Sequence, residues 1–525
     1  MRSRIIQSLT LAAIAALCLS GAAPAAPLSP TARTASGVVR GLVQRGADAF
    51  LGIPYAAPPV GPARWRPPAA VRPWVTPRQT TSFSPSCPQL LNPPGGRPPW
   101  TPEYLIPGPM SEDCLYLNIW RPADTKLRGA SVLVFIHGGG DVEGSGSVPV
   151  YNGAALARKG VVVVNFNYRL GILGSLSLGP LSREQGGASG NYALQDSIAA
   201  LRWVRANIAA FGGDPAKVTV AGQSAGSTMV TMLIASPQAT GLFARAITES
   251  GSRWGTRPGP IPLAEGEKQG AAFAASIGAR SLDRLRALPA DLLVAKAAAV
   301  AVKAGRASAV IDGRFVVNDF ARAQARPGFN DTPILAGFNW EEDSGMDPRY
   351  GQWTVAELAQ KRDALFGPLA ARAAAVYPAN TDEQASEIGK LMARDRSRAE
   401  VYEWAKRRAR VSHHPLYIYF FRHPEPGPTQ QRYGTFHSSE IPYVFGNLDA
   451  ARPFSVDDRR VSARMMARWI AFIRGGSPNT PGAAQWSAFD GNKPSLMLLG
   501  DQEGAREVLP PDRLALSDAF ADLTR

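Results

Sequence analysis

The chain is short of histidine, with five in 525 residues, and it has only three cysteines. After its first two dozen residues, no apolar run approaches the roughly 20 residues a membrane span needs, so stable insertion in a bilayer is not expected. The scarcity of histidine confines any imidazole base to positions 137, 413, 414, 423 and 437. Acids are also few: 42 Asp and Glu face 57 Lys and Arg, for a net charge of +15. So basic a chain raises the question of nucleic acid. However, there is no basic tail and no nucleic-acid motif, and the arginines are scattered, so no nucleic-acid partner is expected. The one dense run, "RDRSRAEVYEWAKRRAR" (394–410), mixes in acids at helical spacing and reads as a solvated helix face. The overall charge favours anionic substrates or anionic cell surfaces.

The start, "MRSRIIQSLTLAAIAALCLSGAAPAAPLSP", has a basic tip, an apolar stretch over 5–19 and small residues around 23–25. It reads as a secretory signal over 1–25, followed by a single domain over 26–525. Leu17 before Cys18 breaks the pattern of a lipid-anchored protein. The mature chain is therefore expected to be exported, to the periplasm or outside the cell. Its remaining cysteines, Cys87 and Cys114, are expected to pair in an oxidising compartment, the alternative being two buried thiols.

From Pro54 to Pro109 the sequence is dense in Pro and Gly and predicts irregular structure. Regular strand signals follow at "CLYLNIW" (114–120), "SVLVFI" (131–136) and "GVVVVNFNY" (160–168). The last two are continuous apolar runs, as strands buried on both faces require. Leu194, Ile198, Leu201, Val204 and Ile208 are spaced by three or four, which predicts an amphipathic helix stopped by Gly212-Gly213. A strand at "KVTVAG", further strands at "PILAGFN" (333–339) and "PLYIYFF" (415–421), and helical segments over 264–302 and 355–410 complete the pattern. Alternation of strand and helix implies an α/β fold with a mostly parallel sheet, and the late helical segments a cap or side lobe. No internal repeat is visible.

In "VTVAGQSAGSTM" (218–229), Ser224 stands between Gly222 and Gly226 directly after a strand. A sharp strand-to-helix turn pushes such a hydroxyl out of the sheet's end, and its glycines relieve Cβ collisions. The alternative is a small residue in a tight turn. A serine nucleophile needs a base, an orienting acid and oxyanion donors. One strand earlier "FIHGGGDVEGSG" offers the unhindered N–H groups of the run Gly138 to Gly140, unless that run is merely a flexible loop; the start of the helix after Ser224 adds the N–H of Ala225. Among the histidines, His137 is placed to shape the glycine loop, and 413, 414 and 423 flank a strand. His437, after a Gly-rich loop late in the chain, is the candidate base.

"FGGDPAKVTVAGQSAG" (211–226), "EDCLYLNIWRP" (112–122) and "FLGIPYAAPPVGPARWRPP" (50–68) resemble signature segments of the type-B carboxylesterases, the group that includes the cholinesterases. The resemblance runs from about Gly37 to Phe489. It implies an α/β-hydrolase fold with a large twisted sheet flanked by helices. It also implies a Ser-Glu-His triad, with the acid in a G-x-x-x-D-E-G segment and the histidine in G-x-x-H-x-x-E. Here "GFNWEED" (337–343) places Glu342, and "GTFHSSE" (434–440) places His437 and Glu440. The implied oxyanion donors are Gly139, Gly140 and Ala225. Ser250 in "ITESGS" is similar to a family serine near the triad, either bonding the acid or capping a turn. Trp254 and Trp340 either line the substrate pocket or pack in the core. The implied activity is hydrolysis of a small-molecule ester through an acyl-enzyme, with no metal and no organic cofactor.

Three residues depart from the family pattern. Asp343 replaces the glycine after the acid, so three acids stand together; Asp141 sits beside the oxyanion loop where an aromatic residue is usual and is expected to point away or to meet a cation. Gln223 precedes the nucleophile where cholinesterases carry glutamate. Two other readings share the fold: the same chemistry on amide, lactone or carbamate bonds, and a binding protein without catalysis. Oligomeric state is not legible in the sequence.

Overall fold

The computed structural model describes residues 29–523, except 93–95, 124–127, 252–258, 305–308, 319–329, 449–451 and 492–494. The proposed signal segment and Trp254 therefore lie outside the described residues. Among those residues, one sheet has eleven strands: β1 (Leu42–Gln44), β2 (Ala47–Pro54), β3 (Tyr116–Pro122), β4 (Ala130–Ile136), β5 (Val162–Phe166), β6 (Gly213–Gln223), β7 (Arg245–Glu249), β8 (Ile334–Asn339), β9 (Leu416–Arg422), β10 (Ser495–Gly500) and β11 (Gly504–Glu507). Their order across the sheet is β11-β10-β9-β8-β7-β6-β4-β5-β3-β2-β1. The block from β10 to β5 is parallel throughout, and the pairs at both margins are antiparallel.

The apolar runs behave as their composition requires. All seven residues of β4 are buried, and successive side chains go to opposite faces. Val132, Val134 and Ile136 join one core with Ile198, Leu201 and Val204, while Leu133 and Phe135 join another with Met465, Trp469 and Ile473. The first core is covered by α1 (Tyr192–Asn207), which passes into a 3-10 turn and ends at Gly212 with φ 82°. Next along the chain come α2 (Ala225–Ala235), α3 (Leu263–Ser276), α4 (Ala290–Ala304), α5 (Asp382–Ala409) and α6 (Val456–Gly475). Helix α6 covers the second core and opens on a capping box between Ser455 and Asp458. Among the described residues no helix is long and apolar enough to cross a membrane. The Pro-rich stretch holds only short elements, and a disulfide joins Cys87 to Cys114.

The run 394–410 is helical but is not a solvated face. It forms the second half of α5, where Asp395, Glu400, Glu403 and Arg408 are buried beside Val401, Trp404 and Ala405. Its charges are matched from covering elements: Asp395 by Arg513 at 2.7 Å, Lys406 by Asp518 at 2.6 Å, and Arg408 by Asp331 at 2.9 Å. Helical spacing of charges is the same whether water or opposite charge lies opposite them.

Candidate active site

Strand β6 delivers Ser224 and α2 leaves from it. Ser224 has φ 56° and ψ −122°, a strained conformation for a residue with a Cβ. It is held by its own N–H donating to Glu249 O at 2.8 Å. The flanking glycines are obligatory for contact reasons. A Cβ on Gly222 would meet the Gly226 backbone at 2.4 Å, and one on Gly226 would meet Ile136 O at 2.1 Å. The glycine loop after β4 is pressed against the same turn, since a Cβ on Gly138 would stand 2.8 Å from Gln223 O and 3.0 Å from Ser224 Cβ. Gly139 and Gly140 continue it with φ of 108° and 62°. His137 shapes this loop. Its Nδ1 contacts Gly138 O at 2.8 Å, its ring stacks on Tyr168, and burial lowers its pKa to about 4, so it stays neutral at ordinary pH.

The loop after β8 carries Glu342 and the segment after β9 carries His437. His437 Nδ1 is hydrogen-bonded to Glu342 Oε1. The other carboxylate oxygen accepts from Ser250 Oγ at 3.1 Å and from Asn339 N–H at 2.9 Å. Both residues are nearly sealed from solvent, Glu342 at 3% and His437 at 7% exposure. The three neighbouring acids are thereby told apart. Asp343 pairs with Arg396 at 2.6 Å, Glu341 accepts from Thr435 N–H at 2.9 Å, and Glu342 alone takes the imidazole.

The chain matches the model of the carboxylesterase family over residues 28–515. The chain belongs to the carboxylesterase family. It is 37% identical over 502 residues to the fumonisin B1 esterase of Sphingopyxis macrogoltabida, covering 91% of this chain and 87% of that one. It is 33% identical over 491 residues to the para-nitrobenzyl esterase of Bacillus subtilis, covering 89% and 94%. The solved structure of a PNB esterase superposes with a TM-score of 0.77 at 31% identity, over 93% of this chain and 99% of that one. The α/β-hydrolase fold expected from the resemblance is therefore the fold of this carboxylesterase-family chain.

Of the residues bonded around this pair, Gln223 and Glu440 were noted in the sequence, whereas Asn339 and Glu249 were not singled out from it. Gln223 Nε2 lies 3.2 Å from His437 Nε2, the ring nitrogen that Glu342 leaves open. Asn339 ties the two loops by donating to Phe436 O at 2.9 Å and to Glu440. Glu249 accepts from Trp469 Nε1 at 2.7 Å; burial pushes its pKa up to about 8, and burial with the charges of Glu249 and Glu342 pushes Glu440 well above the carboxylate range. Glu249 thus retains its proton near neutrality. The signal for Asn339 was a polar residue closing an otherwise apolar strand.

The remaining expectations are placed as follows. His413 and His414 are exposed, and His423 is buried between Asp458 and Asp501. The Asp141 carbonyl accepts from Gly171 N–H, and its charge reaches Tyr168. Trp340 packs edge-on against Phe420.

Proposed function

We propose that this carboxylesterase-family enzyme hydrolyses small-molecule esters through an acyl-enzyme on Ser224. The observation that carries the reading is the bond between Glu342 and His437 Nδ1, made across two loops at the sheet end where the Ser224 turn also sits. As Ser224 Oγ attacks the ester carbonyl, its proton passes to His437 Nε2, the nitrogen not bound by Glu342. The carboxylate keeps the ring oriented and stabilises the imidazolium that forms. The N–H groups of Gly139, Gly140 and Ala225 receive the oxyanion. The imidazolium then returns the proton to the departing alcohol, and water, activated by His437, attacks the acyl-enzyme in a second round. None of these steps calls on a metal or organic cofactor. With 1–25 as a secretory leader, the reaction takes place outside the cytoplasm.

Turnover of a nitrophenyl ester by Ser224→Ala tests the assignment. A loss of at least about a thousandfold is expected, and near-wild-type turnover in the pure variant would sink it. Stoichiometric labelling of Ser224 by an organophosphate separates this reading from a binding protein without catalysis, and parallel assays on esters and anilides separate ester from amide cleavage.

A further inference from the structure

Trp340, expected either in the substrate pocket or in the core, is ringed by cations. The guanidinium carbons of Arg398, Arg422 and Arg394 lie 4.4, 4.8 and 5.4 Å from its ring centroid. Three elements build this cluster: Trp340 follows β8, Arg422 ends β9, and Arg394 and Arg398 are one turn apart on α5. The Trp340 N–H donates to Phe421 O at 2.9 Å, which locks the two strand ends together.

The cations are only partly matched by their surroundings. Among the described residues, neither Arg394 nor Arg422 has a carboxylate within 4.0 Å, and Arg398 reaches Asp395 only at 3.9 Å. Asp395 is itself engaged by Arg513 at 2.7 Å and by the Tyr377 hydroxyl at 3.0 Å. Asp343 is taken by Arg396. Glu341 feels Arg394 and Arg422, but its carboxylate is buried, its pKa is raised by that burial, and it already accepts from Thr435. The Nε atoms of Arg394 and Arg398 are buried without an acceptor. Burial, opposed by Asp395 and reinforced by the neighbouring arginines, brings Arg398 down to about 10, so it keeps its charge at neutral pH.

Stacking uses the face of a guanidinium and leaves its edge N–H groups for an acceptor, and those edges match carboxylate and phosphate oxygens. Arg422 is exposed and the other members are partly so, which leaves the cluster open to a ligand. We propose that Arg394, Arg398 and Arg422 around Trp340 form a binding site for a small multivalent oxyanion, a di- or tricarboxylate or a phosphate, beside the loop that carries Glu342.

Calorimetric titration of the full chain with citrate and with inorganic phosphate, at low ionic strength, tests the site. One-to-one saturable binding of at least one anion is expected, weakened at least about tenfold by Arg422→Gln and by Arg394→Gln. Arg460→Gln, which removes an exposed arginine elsewhere, should leave it intact. The anion that binds more tightly identifies the carboxylate or the phosphate source. A second measurement needs no variant: the bound anion should protect Arg394 and Arg422 from phenylglyoxal, read by peptide mass. Absence of saturable binding with both anions overturns the proposal. So does binding that both cluster variants leave unchanged, binding that Arg460→Gln weakens equally, or binding without protection.

Discussion

Ser250 Oγ donates to Glu342 Oε2 at 3.1 Å, on the carboxylate whose other oxygen meets His437 Nδ1. Ser250 reaches it from a left-handed backbone conformation, φ 56°, with its N–H anchored on Gly337 O at 2.8 Å. The carboxylate is thus held from β7 as well as from its own loop, and under the proposed mechanism the bond would act on catalysis through the orientation of His437. Ser250→Ala is expected to lower kcat on a nitrophenyl ester on the order of tenfold, about 1.4 kcal/mol of barrier, with little change in KM. A rise in KM at constant kcat would contradict a positioning role.

The Ser224 turn tolerates no side chain at Gly226, because the clash is with backbone that cannot rotate away: Ile136 O at 2.1 Å and His137 O at 2.7 Å. Gly226→Ala must therefore push α2 from β4 and displace both Ser224 and the glycine loop. A displacement of about 1 Å at a reacting group costs about a hundredfold in rate. Esterase activity is expected to fall at least that far, together with the melting temperature; retention of both would show that the turn has slack.

Glu249 gives a pH dependence whose sign is fixed by its burial. Its pKa rises from an ordinary 4.5 to about 8 in the folded chain, chiefly because burial disfavours the charge. Between those values the folded state holds a proton that the unfolded state has released, so stability falls as pH rises through that window. Below it the group is protonated in both states, and above it the full cost of the buried charge is present. Glu249→Gln keeps an acceptor for Trp469 and removes the titration. Relative to the parent, its melting temperature should be similar near pH 5 and higher near pH 8; a lower value near pH 8 would refute this account.

The Cys87–Cys114 bond closes a loop of 27 residues through the part of the chain poorest in regular structure. In the chain-entropy model it contributes about 3.5 kcal/mol by restricting the unfolded state. The Cys87→Ala, Cys114→Ala double variant should unfold at lower denaturant by a corresponding amount, read by fluorescence. Because Glu342 and His437 are bonded by Ser250, Asn339 and Gln223 and not by the disulfide, the kcat of the variant still folded at low temperature should change little.

The strands that carry Ser224 and Glu342 were legible because each has a short buried stretch, "VTVA" and "ILAGF", ended by glycine or a polar residue. Strand β7 was not: "RAITE" is short and opens and closes on charged residues, and it forms a strand only because β6 and β8 pair with it on both sides. Helix α6 was passed over although it covers a whole face of the sheet, its apolar residues being interleaved with arginines along "VDDRRVSARMMARWIAFIRG". The basic half of α5 was misjudged for the converse reason, since the acids that match it come from segments up to 112 residues away.

Taken by itself, the sequence determined the local chemistry: which residue sits in the Gly-x-Ser-x-Gly turn, which runs must be buried strands, and which histidine follows a glycine loop. These are consequences of Cβ volume, side-chain period and residue type, and they act over a few residues. By residue type Glu341, Glu342 and Asp343 are equivalent; the motif register pointed to Glu342, and only the tertiary structure brings that one to His437. The three are adjacent and chemically alike, and the choice rests on Arg396, Thr435 and Ser250 arriving from distant elements. Charge on a carboxylate is likewise local in the sequence but global in the fold: Glu249 and Glu440 are ordinary acids until packing removes their water.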